Sequence, residues 1–531
     1  MSVFDAAIGA AGSDSSPIRK AISRLAVDQV AMSTPPRPLA MSLWSNIAKP
    51  AAADVQGPVC DYVSWPGLTD RSFSSRHLPP LPQADVDALP ANIADPVTGK
   101  PGPVTALFDR GDGPMKTDRS SLLFAYFAQW FTDSFLRTAP VDRRRNTSNH
   151  EIDLCQIYGL TEDVTRMLRT GHGGLLNSQI IGDQEYLDPL YETAADGSLQ
   201  PKAKYARLPQ VVNGTLDWIV EQQKIPTERK ARLYATGLER GNSSIGYVVM
   251  STLFVREHNR LAANLATLNA GWDDERVFQT ARIINIVMLL RIVVEDYINH
   301  IAGHDIFVLD NSYAEDQSWY RTNWMAIEFD MLYRWHGLIP DAVTIAGKTY
   351  GPTDFQTNNV LLEQLGIETI IDGASHEVAG EIALFNTPKF LLPAEDATLK
   401  MGRDFRVQGF NAYRARFGLA RLAGWDDLTS DDKVKGALKA LYRDIDQVEL
   451  FVGLMAEESK DGALFGLLLN TMVASDAFTQ ALTNPLLSRN VFTEANFTRF
   501  GLGEIAATPS LQALVDRNVL GGSNVKASFA A

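Results

Sequence analysis

Helical periodicity dominates this chain from about residue 120 onward and leaves little sequence for sheets. Apolar residues recur there at intervals of three and four, the spacing that places them on one face of an α-helix. The helical segments span residues 121–137, 245–268, 274–302, 319–336, 355–372 and 431–457. Strand signals are limited to residues 343–345 and 348–350. The pattern predicts one large, mainly α domain.

Tyr333 and His336 stand close together in an apolar segment, residues 328–341. In a helix, side chains three residues apart share one face, about one turn from each other. A histidine there can bind a metal through one ring nitrogen, and a tyrosine beside it can be oxidised. Pro340 would then end the helix. A lone histidine on an apolar helix is more often an ordinary core residue, so the spacing alone leaves both interpretations open.

The whole segment, Glu-Phe-x-x-Leu-Tyr-x-Trp-His-x-Leu-x-Pro-Asp, resembles the proximal haem segment of cyclooxygenases, within the animal haem peroxidase superfamily. Further motifs follow in that family's order, and the resemblance covers about residues 60–490. It implies a catalytic domain over residues 60–531, preceded by an N-terminal arm over residues 1–59. It implies the mainly α haem peroxidase fold, a non-covalent haem b and His336 as the iron ligand. Tyr333 is then expected to form the catalytic radical, and the substrate is expected to contact Phe329, Leu332 and Trp335.

Residues 124–135 resemble the distal helix of cyclooxygenases, in which a glutamine and a histidine face the open side of the haem. Gln129 matches the glutamine, but Asp133 stands where the histidine is expected. Asp133 either replaces the histidine in acid–base catalysis, with a pKa raised by burial, or marks a peroxidase reaction that has decayed; the resemblance favours the second. Thr132 is expected beside the haem. Arg240 stands where related peroxidases carry a distal arginine, although an exposed loop arginine is the alternative.

Three further residues take expected roles from the resemblance. Tyr297 matches a tyrosine whose hydroxyl hydrogen-bonds the catalytic tyrosine. Tyr413 matches a tyrosine linked through water to the iron-bound histidine. His258 is a rival iron ligand, but the resemblance gives it a buried, hydrogen-bonded role.

At the positions where the resemblance places the wall and the mouth of the substrate channel, several residues differ from those of cyclooxygenases. Val473 and Ala477 replace a glycine and a serine of the channel wall. Neither carboxylate-binding residue of the channel mouth is kept, which leaves His304, Arg37 and Lys49 as candidate cations. A channel of different shape favours a single oxygenation of a C18 chain over prostaglandin formation.

Composition and charge indicate which partners and which location the sequence favours. The balance of 49 Lys+Arg against 63 Asp+Glu gives a net charge of −14, which argues against a nucleic-acid partner. With only two cysteines, Cys60 and Cys155, a reducing compartment is expected. The first residues lack the pattern of a signal peptide, and the apolar run at residues 283–294 predicts a buried helix rather than a membrane span. A cytoplasmic protein is expected; amphipathic residues 17–48 either contact a membrane peripherally or pack on the domain.

These observations predict a haem-dependent fatty acid dioxygenase. Tyr333 would abstract hydrogen from an unsaturated C18 fatty acid, and O₂ would add to give a hydroperoxide. The alternatives are a peroxidase of small reductants, a prostaglandin-type cyclooxygenase, and a haem- or lipid-binding protein without turnover. Dimers occur among relatives, but no residue here argues for one.

Overall fold

The computed structural model describes residues 17–32, 69–139, 142–317, 320, 322–459 and 463–531. Helices make up most of this part of the chain, which confirms the predicted fold class. The α-helices are α1 Pro17–Met32, α2 Gln83–Asp87, α3 Leu122–Thr132, α4 Cys155–Tyr158, α5 Glu162–Leu168, α6 Pro209–Val212, α7 Thr215–Gln222, α8 Thr227–Ala231, α9 Ile245–Leu268, α10 Asp274–Ile292, α11 Ile298–Ala302, α12 Ile327–Leu332, α13 Pro352–Phe355, α14 Asn359–Leu365, α15 Ile367–His376, α16 Leu392–Asp404, α17 Phe410–Arg416, α18 Trp425–Leu428, α19 Asp432–Leu441, α20 Leu450–Ala456, α21 Leu467–Leu482, α22 Glu494–Ala506 and α23 Leu511–Asn518.

The strands in this part of the chain form four small antiparallel pairs. Their bounds are β1 Thr117–Ser121, β2 Ser178–Ile181, β3 Gln184–Leu187, β4 Tyr191–Thr193, β5 Leu199–Pro201, β6 Val343–Ile345, β7 Lys348–Tyr350 and β8 Val378–Gly380. β1 pairs with β8, β2 with β3, β4 with β5 and β6 with β7. The β6–β7 hairpin was predicted, with Val343 opposite Tyr350; the other three pairs were not.

Helix α9 lies at the centre of the core and packs against α3 and α10. Both α3 and α9 begin at a serine N-cap, because Ser121 Oγ accepts from the amide of Phe124 and Ser244 Oγ from that of Tyr247. α9 has the predicted bounds. These two caps fix where each helix starts, and therefore which of its residues reach the candidate site.

Helix α10 continues through one π-helical turn, Val293–Tyr297, into α11. The combined helix, residues 274–302, has the length and apolar composition of a membrane span, but 78% of its most apolar window is buried inside the fold. This burial agrees with the predicted core helix. The π turn places Tyr297 at its last position, and such turns are frequent at functional sites.

Three predicted helices are shorter or broken. The segment predicted over residues 319–336 is helical only at Ile327–Leu332, followed by a 3₁₀ turn at His336–Leu338. Segment 355–372 divides between α13, α14 and α15, and segment 431–457 between α19 and α20. The predicted helix over 121–137 ends at Thr132.

The N-terminal helix α1 packs against α21. Two of its arginines make ion pairs with the loop after α11: Arg19 pairs with Asp305 and Arg24 with Asp310. The rest of the predicted arm, with Arg37 and Lys49, lies outside the described residues, as do the predicted boundary at residue 60 and Cys60.

Candidate active site

A cavity of about 440 Å³ lies between helix α3, the start of α9 and the segment after α12. This volume falls in the range of about 300–1,000 Å³ that is typical of cofactor and small-molecule sites. Its lining joins the predicted distal residues Gln129, Thr132, Asp133 and Arg240 to Tyr333, Trp335 and His336. The structure therefore brings together side chains from three segments that are distant in the sequence.

His336 is held by a 3₁₀ turn rather than by the predicted continuous helix. α12 ends at Leu332, because Tyr333 and Trp335 adopt φ/ψ of −100°/37° and −96°/48°. Tyr333 and His336 consequently reach the same cavity from a bent segment and not from one helix face. The predicted role of Pro340 as the helix stop is wrong, since the helix has already ended.

Close packing and hydrogen bonds fix the backbone after His336. Gly337 packs so closely on the strand β8 region that a Cβ there would lie 2.7 Å from the carbonyl oxygen of Glu381. The Arg110 guanidinium, 1% exposed, donates to the carbonyl of Ile339 at 2.9 Å and to that of Asn386 at 2.7 Å. This clamp leaves the His336 turn little freedom to move.

The two ring nitrogens of His336 have different surroundings. Nδ1 lies 3.0 Å from Oε2 of the buried Glu395, at ion-pair distance but without good hydrogen-bond angles. Nε2 has no hydrogen-bond partner among the described residues, and His336 lines the cavity. One nitrogen oriented by a carboxylate and the other left open is the usual arrangement of a metal-binding histidine.

His258, the rival ligand, cannot serve that purpose in this conformation. Its Nδ1 meets the Tyr158 hydroxyl at 2.9 Å, and its Nε2 meets the Gly174 carbonyl oxygen at 2.9 Å. Burial lowers the pKa of His258 to about 4. The predicted buried, hydrogen-bonded role is therefore what the structure shows.

Tyr333 lines the cavity as a half-buried residue whose hydroxyl is buried. Its ring lies 4.6 Å from that of Trp335 and 5.1 Å from that of Phe329, centroid to centroid. Its hydroxyl oxygen is buried without a hydrogen-bond partner of good geometry among the described residues. Burial raises the pKa of Tyr333 well above its usual value, so the phenol keeps its proton.

Tyr297 is the polar group oriented toward Tyr333. The two hydroxyls lie close enough for each to shift the pKa of the other as a hydrogen-bond partner, but their angles fall short of good hydrogen-bond geometry. The Tyr297 ring stacks at 5.2 Å on Phe124 of α3. A second neighbour was not predicted: Asp476 of α21, paired with His77 at 3.1 Å, raises the pKa of Tyr333 further.

Asp133 caps the C-terminal end of α3 and lies 7% exposed at the cavity wall. The Tyr247 hydroxyl donates to its Oδ2 at 2.8 Å, and Arg137 and Arg240 lie 3.5 Å and 4.0 Å from its Oδ1. Burial outweighs these partners and raises the pKa of Asp133. Arg137 is itself held by Glu239 through two contacts of 2.7 Å.

The remaining distal residues also face the cavity. Gln129 is exposed to it and accepts a hydrogen bond of 3.2 Å from Ser244. Thr132 lines the cavity, but its hydroxyl donates back to the carbonyl of Ala128 at 2.8 Å. Arg240 has a half-exposed side chain and lines the cavity wall beside Asp133. It is therefore not an exposed loop arginine away from the site.

Most predicted substrate contacts lie behind Tyr333 rather than in this cavity. Phe329 and Leu332 are fully buried on α12, and α12 packs against α21, which carries the buried Val473 and Ala477. Trp335 lines the cavity itself. His304 is exposed just after α11.

Tyr413 has a different partner from the one that the resemblance implied. Its buried hydroxyl donates to Oε1 of Glu328 at 2.8 Å, whereas the carboxylate beside His336 belongs to Glu395. Sequence reasoning missed Glu395, Tyr247 and Arg137. Only Arg137 gave a signal, because it follows Asp133 by four residues.

The site fits a haem. His336 offers an open nitrogen, the walls are largely apolar, and the lining includes Arg240 and Arg334, which are paired with Asp133 and Asp330. A mainly α fold that places one open imidazole and a buried phenol on the same cavity defines a haem peroxidase-type protein. A match to the animal haem peroxidase family covers residues 132–529, and the chain belongs to that family.

Individual relatives agree with this assignment. Prostaglandin G/H synthase 2 of Oryctolagus cuniculus is 30% identical over 470 residues, covering 87% of this chain and 73% of the relative. Among solved structures, the fatty acid alpha-dioxygenase of Arabidopsis thaliana matches with a TM-score of 0.69 and 16% identity, over 96% of this chain and 89% of that one. Peroxidase A of Dictyostelium discoideum matches with a TM-score of 0.62 and 18% identity, over 86% and 96%. The predicted cyclooxygenase-like membership is confirmed.

Proposed function

We propose that this protein is a haem-dependent fatty acid dioxygenase that uses Tyr333 to abstract hydrogen from an unsaturated C18 fatty acid. One observation carries the proposal: the Tyr333 hydroxyl is buried, keeps its proton and makes no hydrogen bond of good geometry with a described residue, on the same cavity as an imidazole with an open nitrogen. A tyrosine that only supported the fold would satisfy its hydroxyl.

His336 would hold the iron of a non-covalent haem b through Nε2. When bound, the haem supplies the oxidising equivalent, gained from a hydroperoxide, that removes one electron from Tyr333. The phenol releases its proton at the same time. Tyr297, whose hydroxyl acts on the pKa of Tyr333 as a hydrogen-bond partner, orients the phenol.

The oxygenation then proceeds on the substrate. The Tyr333 phenoxyl takes a hydrogen atom from an allylic or bis-allylic C–H bond, which restores the phenol and leaves a carbon radical. O₂ adds to that carbon to form a peroxyl radical. The peroxyl takes the hydrogen atom back from Tyr333, which gives the fatty acid hydroperoxide and regenerates the phenoxyl.

Asp133 supplies the acid–base group for activation by a hydroperoxide. Its raised pKa suits proton transfer near neutrality better than an ordinary aspartate would. Tyr247 and Arg137 fix the carboxyl group in place, and Arg240 contributes positive charge beside it. This geometry favours the interpretation of Asp133 as a substitute for the distal histidine over loss of the reaction.

A fatty acid substrate is supported by the relatives. Fatty acid alpha-dioxygenases share the fold, and one solved structure from Oryza sativa contains palmitic acid. The preference for a single oxygenation of a C18 chain over prostaglandin formation rests on the altered wall at Val473 and Ala477. Peripheral membrane contact through α1, where Ile18 and Leu25 are 57% and 66% exposed, belongs to the same proposal.

Oxygen uptake with defined lipids tests the function. The haem-loaded protein is incubated separately with linoleate, oleate, palmitate and arachidonate, and products are identified by mass spectrometry. We expect monohydroperoxides from linoleate or oleate. Products from palmitate alone would refute the unsaturated substrate, and a cyclic endoperoxide from arachidonate would favour a prostaglandin-type reaction. Oxidation of guaiacol without oxygen uptake on any lipid would favour a peroxidase.

A further inference from the structure

We propose that Glu395 is a positioning residue for the iron ligand. Its carboxylate accepts a hydrogen bond from the Nδ1–H of His336 and so strengthens that imidazole as an electron donor. This inference rests on the haem ligation proposed above. It assigns to a carboxylate the role that the sequence resemblance gave to Tyr413, whose hydroxyl is instead committed to Glu328.

The geometry orients Glu395 toward the ligand. It lies in the first turns of α16 and is 1% exposed. Its Oε2 is 3.0 Å from His336 Nδ1, and its Oε1 accepts a hydrogen bond of 2.7 Å from the Thr387 hydroxyl. Neither Oε2 nor Nδ1 has another polar partner in the described parts of the chain.

Because Glu395 is buried, its carboxylate depends on the contact with His336. A carboxylate away from water is stable only when it is paired and hydrogen-bonded. No lysine or arginine among the described residues forms an ion pair with Glu395, so the imidazole N–H is the partner available to Oε2. Only a small rotation of either side chain is needed to turn the present 3.0 Å contact into a directed hydrogen bond.

Two consequences follow for the ligand. With Nδ1 fixed toward Glu395, the tautomer leaves Nε2 unprotonated and directed to the cavity. A carboxylate acceptor also withdraws the Nδ1 proton more strongly than a neutral acceptor does, so the imidazole donates more charge to the iron. Outer hydrogen bonding of this kind favours the ferric over the ferrous state.

Two substitutions with opposite expected signs test the inference. Glu395→Gln keeps the size and an acceptor but removes the charge. We expect at least a tenfold rise in the ferrous-to-ferric ratio at a fixed potential, which corresponds to about 59 mV for one electron. Thr387→Val removes the donor to Oε1 and leaves the carboxylate a stronger acceptor for His336, so the ratio should fall.

The ferrous iron–histidine stretching band in the resonance Raman spectrum provides a second readout. It should move to lower frequency in Glu395→Gln and to the same or higher frequency in Thr387→Val. A merely structural role for Glu395 would lower the melting temperature and haem retention in both variants without moving the band or the potential.

The outcomes separate this inference from the proposed function. If the wild-type protein shows no histidine-ligated haem, the proposed function fails. If it does, but both variants keep the wild-type potential and band, the role of Glu395 is refuted. Should Glu395→Gln not fold, the sign of the Thr387→Val shift alone decides, and an unchanged or raised ferrous-to-ferric ratio refutes the inference.

Discussion

Replacing Tyr333 by phenylalanine should abolish activity without destabilising the protein. The Tyr333 hydroxyl is buried and makes no hydrogen bond of good geometry with a described residue, so its removal breaks none. An unsatisfied buried polar group costs about 1–3 kcal/mol, part of which the substitution recovers. We therefore expect an equal or slightly higher free energy of unfolding.

A matched substitution elsewhere gives the opposite sign. The Tyr442 hydroxyl is buried, lies outside the cavity lining, and donates to Glu449 at 2.8 Å. Tyr442→Phe loses a bond to a charged group and should cost about 1.5–3 kcal/mol. With about 2.1 cal/mol/K of unfolding entropy per residue, a cooperative chain of 531 residues shifts its melting temperature by only about 1 °C per kcal/mol. Calorimetry on replicate samples resolves that difference.

The assay combines calorimetry with oxygen uptake on linoleate, normalised to bound haem. Tyr333→Phe should show no uptake, an unchanged haem spectrum and an unchanged or raised melting temperature. Tyr442→Phe should show wild-type uptake and a lowered melting temperature. If Tyr333→Phe is destabilised as much as Tyr442→Phe, the phenol is a satisfied structural group, and if it takes up oxygen normally, the radical scheme is wrong.

Three further substitutions test the proton transfer by Asp133, the close packing of Gly337 beside His336, and the raised pKa of Glu151. Asp133→Asn should slow hydroperoxide reduction by about 10²–10⁴-fold in stopped-flow measurements, and an unchanged rate would exclude Asp133 from proton transfer. Gly337→Ala, whose Cβ would lie 2.7 Å from a backbone oxygen, should weaken haem binding at least tenfold in titrations, whereas Gly436→Ala, which faces open space, should not. Burial raises the pKa of Glu151 to about 8 from its usual 4.5, so the folded state holds this proton more tightly than the unfolded state does. The contribution of Glu151 to the free energy of unfolding is therefore fully present below pH 4.5 and is lost as the pH rises through about 8. Urea unfolding of Glu151→Gln should lack this loss, and an unchanged pH dependence would contradict it.

The fold was predictable where helices are long and evenly apolar. α9 and α10 follow the three-to-four-residue periodicity because both are buried along most of their length. The break after Leu332 was not predictable, because the apolar pattern continues through Trp335 while the backbone turns to deliver Tyr333 and His336 to the cavity.

The site was predictable in part, for the same physical reason. Gln129 and Asp133 lie on one helix, so their spacing carries information about a shared face. Glu395 belongs to a distant helix, and its approach to His336 depends on tertiary packing that no local pattern encodes. The pairing of β1 with β8 joins segments far apart in the sequence, so no local pattern predicts it, whereas β6 and β7 are adjacent and form a predicted hairpin.

The most direct test of the account is electron paramagnetic resonance of the haem-loaded protein, frozen within seconds of adding linoleate hydroperoxide. The account predicts a tyrosyl radical signal in the wild-type protein and in Tyr297→Phe, with altered line shape in the latter, and loss of that signal in Tyr333→Phe. An unchanged tyrosyl signal in Tyr333→Phe, or no tyrosyl signal in a wild-type protein that oxygenates linoleate, would contradict it.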